Sequence, residues 1–221
     1  MRSVNFFRRL GLFVAEDFLS TDSCSGLRSE MDASAFEKAT VIKDGQEGVL
    51  DEDSRQVLCV RVTEGTARAV RDRLRGIKPS LEEHFRVSLS KKCHGPDFLI
   101  YHPGGFYRPH RDCSEGSPDH IRARRVSVVM SLNAQSHEPA PDTFGGGGLT
   151  FYGLMDGPEW SKCAFTLDPS PGLLVAFRSD ILHEAQPVSF GKRYMVVTWF
   201  TQGEDLPEVQ AAEREASKPA S

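Results

Sequence analysis

The chain lacks the usual marks of several protein classes. Its five cysteines (Cys24, Cys59, Cys93, Cys113 and Cys163) are odd in number and form no CxxC pair. This argues against a disulfide framework or a cysteine zinc site, and for reduced thiols in the cytoplasm. No apolar run reaches the roughly 18 residues needed to cross a bilayer, so no membrane partner is expected. There is no basic excess either, with 27 Lys+Arg against 31 Asp+Glu and a net charge of −4. Nucleic acid is therefore not expected as a partner, because polyanion binding relies on a basic surface that releases counterions. The N-terminal stretch MRSVNFFRRLGLFV is broken by Arg8 and Arg9 and has no small-residue cleavage site after it. A signal peptide is not expected, and a first strand around Leu10–Val14 is.

What remains is ordinary globular composition, 39% hydrophobic and 26% charged over 221 residues. At roughly 150 residues per domain this allows one large domain or two small ones. No internal repeat or break in composition requires two. Charge is uneven. Residues 15–54 hold eleven acidic and three basic side chains, and residues 55–92 hold ten basic and four acidic. Two solvated helical regions of opposite sign account for this more simply than a charged substrate surface does.

Helical signals fill the first part. Ser20 can cap a helix carrying Cys24, Leu27 and Met31. Ala67, Val70, Leu74 and Ile77 recur at three- and four-residue steps. Pro79 predicts a break, and Ser80 with Glu83 reads as a capping box that starts a further helix. After about residue 95 come short β-rich runs: Phe98–Tyr101, Val126–Leu132, Leu149–Tyr152, Ala164–Leu167, Leu173–Phe177 and Tyr194–Phe200. Gly/Pro/Asp-rich loops separate them, which suggests an antiparallel sandwich or barrel. Helices first and strands second give an α+β class, mainly β. Residues 203–221 read as a polar tail.

The informative stretch is Tyr101-His-Pro-Gly-Gly-Phe-Tyr-Arg-Pro-His110-Arg-Asp112. On an extended chain residues i and i+2 share a face, so His110 and Asp112 can converge. A second histidine would complete two imidazoles and a carboxylate, a facial set that leaves positions open on Fe(II). His183 follows the apolar run Gly172–Phe177 and is preferred over His120, which sits in a turn-rich loop. Arg193 opens an apolar strand ten residues later, where a buried cation needs an anionic partner. A dicarboxylate would meet that need through paired hydrogen bonds. The Gly145–Gly148 run is followed by Leu149-Thr-Phe-Tyr and not by a helix, so it reads as a tight turn rather than a phosphate cradle. Phe106, Tyr107, Trp160 and Trp199 are aromatic candidates for a substrate groove, with Trp199 assigned to the core.

His110-x-Asp112, a distant His183 and Arg193 resemble the iron(II)- and 2-oxoglutarate-dependent dioxygenases, closest to the prolyl 4-hydroxylase and hypoxia-type prolyl hydroxylase branch. Tyr101-x-Pro-Gly-Gly, Gly147-Gly148-Leu149 and His183-Glu-Ala-Gln-Pro-Val belong to the same likeness, as do Val14–Ser20 and Asp51-x-x-Ser-Arg55. The resemblance implies a double-stranded β-helix, or jelly roll, over 96–202, with N-terminal helical support over 1–95. Together these make one domain over 1–202. It implies His110, Asp112 and His183 as Fe(II) ligands, with Arg193 on the distal carboxylate of 2-oxoglutarate and Tyr101 bonding within that pocket. Ser131 stands where the hypoxia-type branch has a tyrosine on the same carboxylate. The implied reaction hydroxylates an unactivated C–H bond, consuming O2, releasing succinate and CO2, and using ascorbate as a helper. A prolyl residue of a protein or peptide is the implied substrate. A free amino acid or small metabolite and a non-catalytic jelly-roll binding module are the alternatives.

Overall fold

The computed structural model describes residues 4–43, 45–155, 157 and 163–203. Trp160 and all but the first residue of the 203–221 tail lie outside the described residues. Alternation along the strands builds two cores on the two faces of one sheet. In Arg124–Ser131, Val126, Val128 and Met130 point one way and Ser127, Val129 and Ser131 the other. The first set joins Phe98 and Ile100 of Leu89–Tyr101 and Val196 and Phe200 of Arg193–Gln202. Helix α1 (Thr21–Ala33) covers this face with Leu27 and Met31, and helix α2 (Glu64–Phe85) with Val70, Leu74 and Leu81. The opposite face, with Leu99, Val129, Met195 and Val197, packs against Phe144, Leu149 and Phe151.

The larger sheet has seven strands, in the order Phe13–Ala15, Leu174–Arg178, Arg124–Ser131, Arg193–Gln202, Leu89–Tyr101, Leu58–Val60, Phe36–Lys38. The facing sheet has five, in the order Ala164–Leu167, Leu149–Tyr152, His183–Ala185, Phe106–His110, Arg55–Gln56. All these pairings are antiparallel. The two facing sheets form a double-stranded β-helix, mainly β with supporting helices, in agreement with the class read from the sequence.

Several local expectations change. The first strand is Phe13–Ala15 rather than Leu10–Val14, and a helix at Val4–Arg9 precedes it. The first 95 residues are not only helical, since Phe36–Lys38, Arg55–Gln56 and Leu58–Val60 extend both sheets. The acidic stretch is accordingly part helix and part strand. Pro79 breaks nothing: α2 runs unbroken through it, and Ser80 caps no helix. Leu74 and Leu81, both fully buried and two turns apart, lie on one face of that helix. A break at Pro79 would take Leu81 out of the core, and the burial of that leucine offsets most of the lost hydrogen bond and ring clash that a mid-helix proline costs.

Ser20 caps α1 as expected, its hydroxyl accepting the Ser23 N–H at 3.2 Å. Glu30 ties the two helices together, accepting the Thr63 N–H and the Thr66 hydroxyl, each at 2.7 Å. Thr63 is the N-cap of α2. The Thr63 and Thr66 hydrogen bonds hold the Glu30 carboxyl below its ordinary pKa, with burial opposing. Glu30→Gln should destabilise the protein by about 1 kcal/mol at neutral pH. The folded pKa is depressed, so this stabilisation is complete above the unfolded value of roughly 4.3 and fades as pH falls through the folded one. Urea unfolding of both proteins across the acid range should therefore show the gap closing as pH drops.

Candidate active site

His110 ends the strand Phe106–His110 and His183 opens the strand His183–Ala185. They are direct cross-strand partners. Their rings lie 4.3 Å apart between centroids. Asp112, two residues past His110, returns its carboxylate between them, with Oδ1 3.6 Å from His110 Nε2 and Oδ2 3.6 Å from His183 Nε2. One donor atom from each residue falls within 4.8 Å of the others, the one such group of three or more among the described residues. His120 is elsewhere, in the short helix Asp119–Arg122 with its Nε2 3.6 Å from Glu47.

Local backbone sets the tautomers. His110 Nδ1 faces the Arg108 carbonyl at 2.8 Å, and His183 Nδ1 faces the Ile181 carbonyl at 3.0 Å. Each contact places the proton on Nδ1 and turns Nε2 inward with a free lone pair. Tyr107 stacks on His110 at 3.5 Å, and Phe177 meets His183 edge-on at 4.6 Å. Burial, with His110 nearby, lowers the His183 pKa to about 4, so its imidazole is neutral at neutral pH. Burial works to raise the Asp112 pKa, but His183, His110 and the Ser127 hydroxyl beside it hold it well below the usual carboxylate range. The Ser127 hydroxyl also lies 2.9 Å from Ser179 Oγ. Two imidazoles with inward Nε2 atoms and one carboxylate suit a divalent transition metal such as Fe(II).

A narrow cavity runs inward from the triad past Ser127, Val129, Leu149 and Met195 to Tyr101. Tyr101 is the cross-strand partner of Arg193, whose guanidinium lies 5.2 Å from the Tyr101 ring centroid. Arg193 is only 1% exposed, yet its Nε and Nη1 have no hydrogen-bond partner. Burial pushes its pKa down. A buried guanidinium with two orphaned donors, packed on a tyrosine that lines this cavity, fits the carboxylate of a small diacid. Ser131 faces inward from the strand next to Arg193–Gln202, opposite Met195 rather than opposite Arg193.

Two residues that support Asp112 and Arg193 were not legible in the sequence. Ser127 is one, and the signal was a serine at an inward position of an apolar strand. Asn133 is the other. It is 1% exposed. Its Oδ1 accepts the Tyr194 N–H at 3.0 Å and its Nδ2 donates to the Lys192 carbonyl at 2.8 Å, so it brackets Arg193. Asn133→Ala should cost about 2–3 kcal/mol by leaving buried backbone groups unpaired. It should also weaken 2-oxoglutarate binding about ten-fold through a looser Arg193, measured by calorimetry on the metal-loaded protein.

The glycine run is not the tight turn expected: Gly145 and Gly146 end the strand Thr143–Gly146 with a register shift between them, and the glycines serve close backbone approach instead. Gly146 has φ +64°, and a Cβ there would sit 2.4 Å from the Pro187 carbonyl oxygen. Trp199 packs against the inner core, as expected, and also faces the groove. It takes the parity of Arg193, Met195 and Val197, lines the cavity mouth, and carries the Arg124 guanidinium 3.8 Å from its ring. Tyr107 lines the same region, whereas Phe106 packs under Arg108.

Fold and site together define a jelly-roll protein with a two-histidine, one-carboxylate centre and a buried cation behind it. Residues 96–201 match the 2OG-Fe(II) oxygenase superfamily. That segment is a 2OG-Fe(II) oxygenase domain. No curated protein matches the chain. Among solved structures, it is similar to a prolyl-4-hydroxylase from Pseudomonas putida, with 24% identity, 90% of this chain and 96% of that one covered, and a TM-score of 0.65. It is also similar to a prolyl hydroxylase from Trichoplax adhaerens solved with a peptide of the hypoxia inducible factor oxygen degradation domain, at 19% identity, 98% and 91% coverage, and a TM-score of 0.64. The carbocyclase SnoK of nogalamycin biosynthesis has the same fold, at 15% identity, 98% and 90% coverage, and a TM-score of 0.60.

Proposed function

We propose that the protein hydroxylates a prolyl residue of a protein or peptide. O2 and 2-oxoglutarate are consumed and succinate and CO2 released, with one oxygen atom entering the product and the other the succinate. The observation that carries the reaction class is the orphaned, buried Arg193, whose guanidinium lies 5.2 Å from the ring of Tyr101, a residue that lines the cavity together with the triad. In this reading His110, Asp112 and His183 hold Fe(II) through the two Nε2 atoms and a carboxylate oxygen. Arg193 binds the distal carboxylate of 2-oxoglutarate, Tyr101 closes the same pocket, and Ser131 lines its wall. The bound iron, with its cosubstrate and O2, supplies the oxidising equivalent that converts C–H to C–OH, and ascorbate keeps the metal reduced. The chain orients these groups. The Nδ1 contacts fix both imidazoles, and Leu99, Leu149 and Met195 keep the passage apolar.

A peptide substrate is supported by an open groove, which reaches from the hairpin around Val41–Lys43 to His110 and Asp112. The Trichoplax adhaerens protein, solved with a peptide, also supports it. The strands at Phe36–Lys38, Arg55–Gln56 and Leu58–Val60 support treating 1–202 as one domain, since they complete both sheets. No helix is long and apolar enough to cross a membrane among the described residues. The five free thiols support a reducing compartment such as the cytoplasm.

The test is incubation with Fe(II), ascorbate, 2-oxoglutarate and proline-containing peptides, read by mass spectrometry. A product heavier by one oxygen atom is expected with wild type and none with His110→Ala. Oxidation of free amino acids but of no peptide would replace the substrate half of the proposal.

A further inference from the structure

The inner face of the central sheet changes character along its length. Arg193 and Tyr101 lie buried at one end, and Leu99, Val129 and Met195 are apolar in the middle. Asp97 follows Leu99 at the outer end, opposite Val197. It lines the same groove as His110 and Asp112. Its carboxyl makes no hydrogen bond or ion pair among the described residues. Burial pushes its pKa up against the pull of Arg55, Arg124 and His94. Arg124 is the complementary group. Its guanidinium lies over Trp199, its Nε is buried without a partner, and it feels Asp112 and Asp97 without pairing with either. Arg55 is partly committed, donating to the Thr40 carbonyl at 2.9 Å and covering the Tyr107 ring at 4.6 Å.

A groove floor with a free acceptor and the unpaired buried Nε groups of Arg124 and Arg55 disfavours a purely cationic ligand and suits a dipolar one. We infer that Asp97 and Arg124 form a specificity subsite that reads a neighbouring N–H donor and oxygen acceptor of the substrate beside the reacting carbon. Asp97 accepts from an N–H and Arg124 donates to the adjoining carbonyl or carboxylate oxygen. The inference rests on the dioxygenase reading of the triad and deepens its substrate class. A peptidyl proline has no N–H of its own, so in a peptide the donor is the amide of the residue that follows. In a free amino acid it is the ammonium group. Asp97 is then a specificity-determining residue outside the iron and 2-oxoglutarate sites.

Wild type, Asp97→Asn and Asp97→Leu separate these cases. Each is given capped peptides with a central proline, the same peptides N-methylated on the amide after the proline, and L-proline. Asp97→Leu should raise KM about ten-fold or more for whichever probe wild type oxidises. Calorimetric 2-oxoglutarate affinity should stay within about two-fold, which shows that the inner site is intact. Asp97→Asn keeps an acceptor oxygen but no charge. It should track wild type if the donor is an amide and track Asp97→Leu if the donor is an ammonium. Wild-type KM in Asp97→Leu, or N-methylated peptides used as well as their parents, would overturn the subsite. If wild type oxidises no probe, the prolyl reading fails. The subsite is then judged by the carboxyl carbon resonance of Asp97 during titration with N-methylacetamide and with methylammonium. A saturable shift with either supports it, and no shift with both overturns it.

Discussion

An Asp112→Ala protein should bind Fe(II) at least about a hundred-fold more weakly than wild type, roughly 2.7 kcal/mol, and lose hydroxylation with it. The size follows from position. Asp112 supplies the only charge in a donor set whose other members are imidazoles, and it lies between them, 3.6 Å from each Nε2. Removing it leaves two neutral donors facing a dication. Ser127→Ala touches the same carboxylate from outside and should cost no more than about ten-fold, because it loosens a ligand without deleting one. Anaerobic calorimetry with Fe(II), or with Mn(II) as a stable substitute, measures both. Wild-type metal affinity in Asp112→Ala would show that the triad is not the metal centre. Equal losses in the two variants would show that Ser127 is itself part of it.

The triad was legible because its chemistry is local. His110 and Asp112 lie two apart on extended chain, and a period of two is readable without knowing the fold. Choosing His183 over His120 rested on what preceded each histidine, an apolar strand in one case and a turn-rich loop in the other. The strands that carry the histidines were not legible. Phe106–His110 contains Arg108 and Pro109, and His183–Ala185 is three residues long, so neither shows an apolar alternation. Their pairing is a property of the closed fold. Asp97, Arg124 and Trp199 were obscured for the same reason, since a groove floor drawn from three strands has no signature along the chain. Trp199 could have been placed from parity, because it alternates with Arg193, Met195 and Val197. Pro79 misled in the other direction: its local rule is sound, but helix–sheet packing decides.

Arg193→Met should move two measurements in opposite directions. The side chain is buried with Nε and Nη1 unpaired, so without 2-oxoglutarate the protein carries an uncompensated buried cation. Methionine is of similar length and apolar. The variant without 2-oxoglutarate should therefore be more stable by about 1–3 kcal/mol, a rise in Tm of several degrees for a chain of this size. Affinity for 2-oxoglutarate on the Mn(II)-loaded protein should fall about a hundred- to a thousand-fold, because two charge-assisted hydrogen bonds to one carboxylate are lost. The melting curves should then cross. Saturating 2-oxoglutarate at about 100 Kd stabilises wild type by about 2.7 kcal/mol and leaves the variant nearly unmoved. Arg193→Lys separates charge from geometry. It keeps the buried cation, so the stability gain should be absent, and it loses the planar fork, so affinity should still drop. A less stable Arg193→Met protein in the absence of 2-oxoglutarate would mean that the guanidinium already has its partner within the chain. The cavity behind the triad would then have to be assigned to something other than a dicarboxylate.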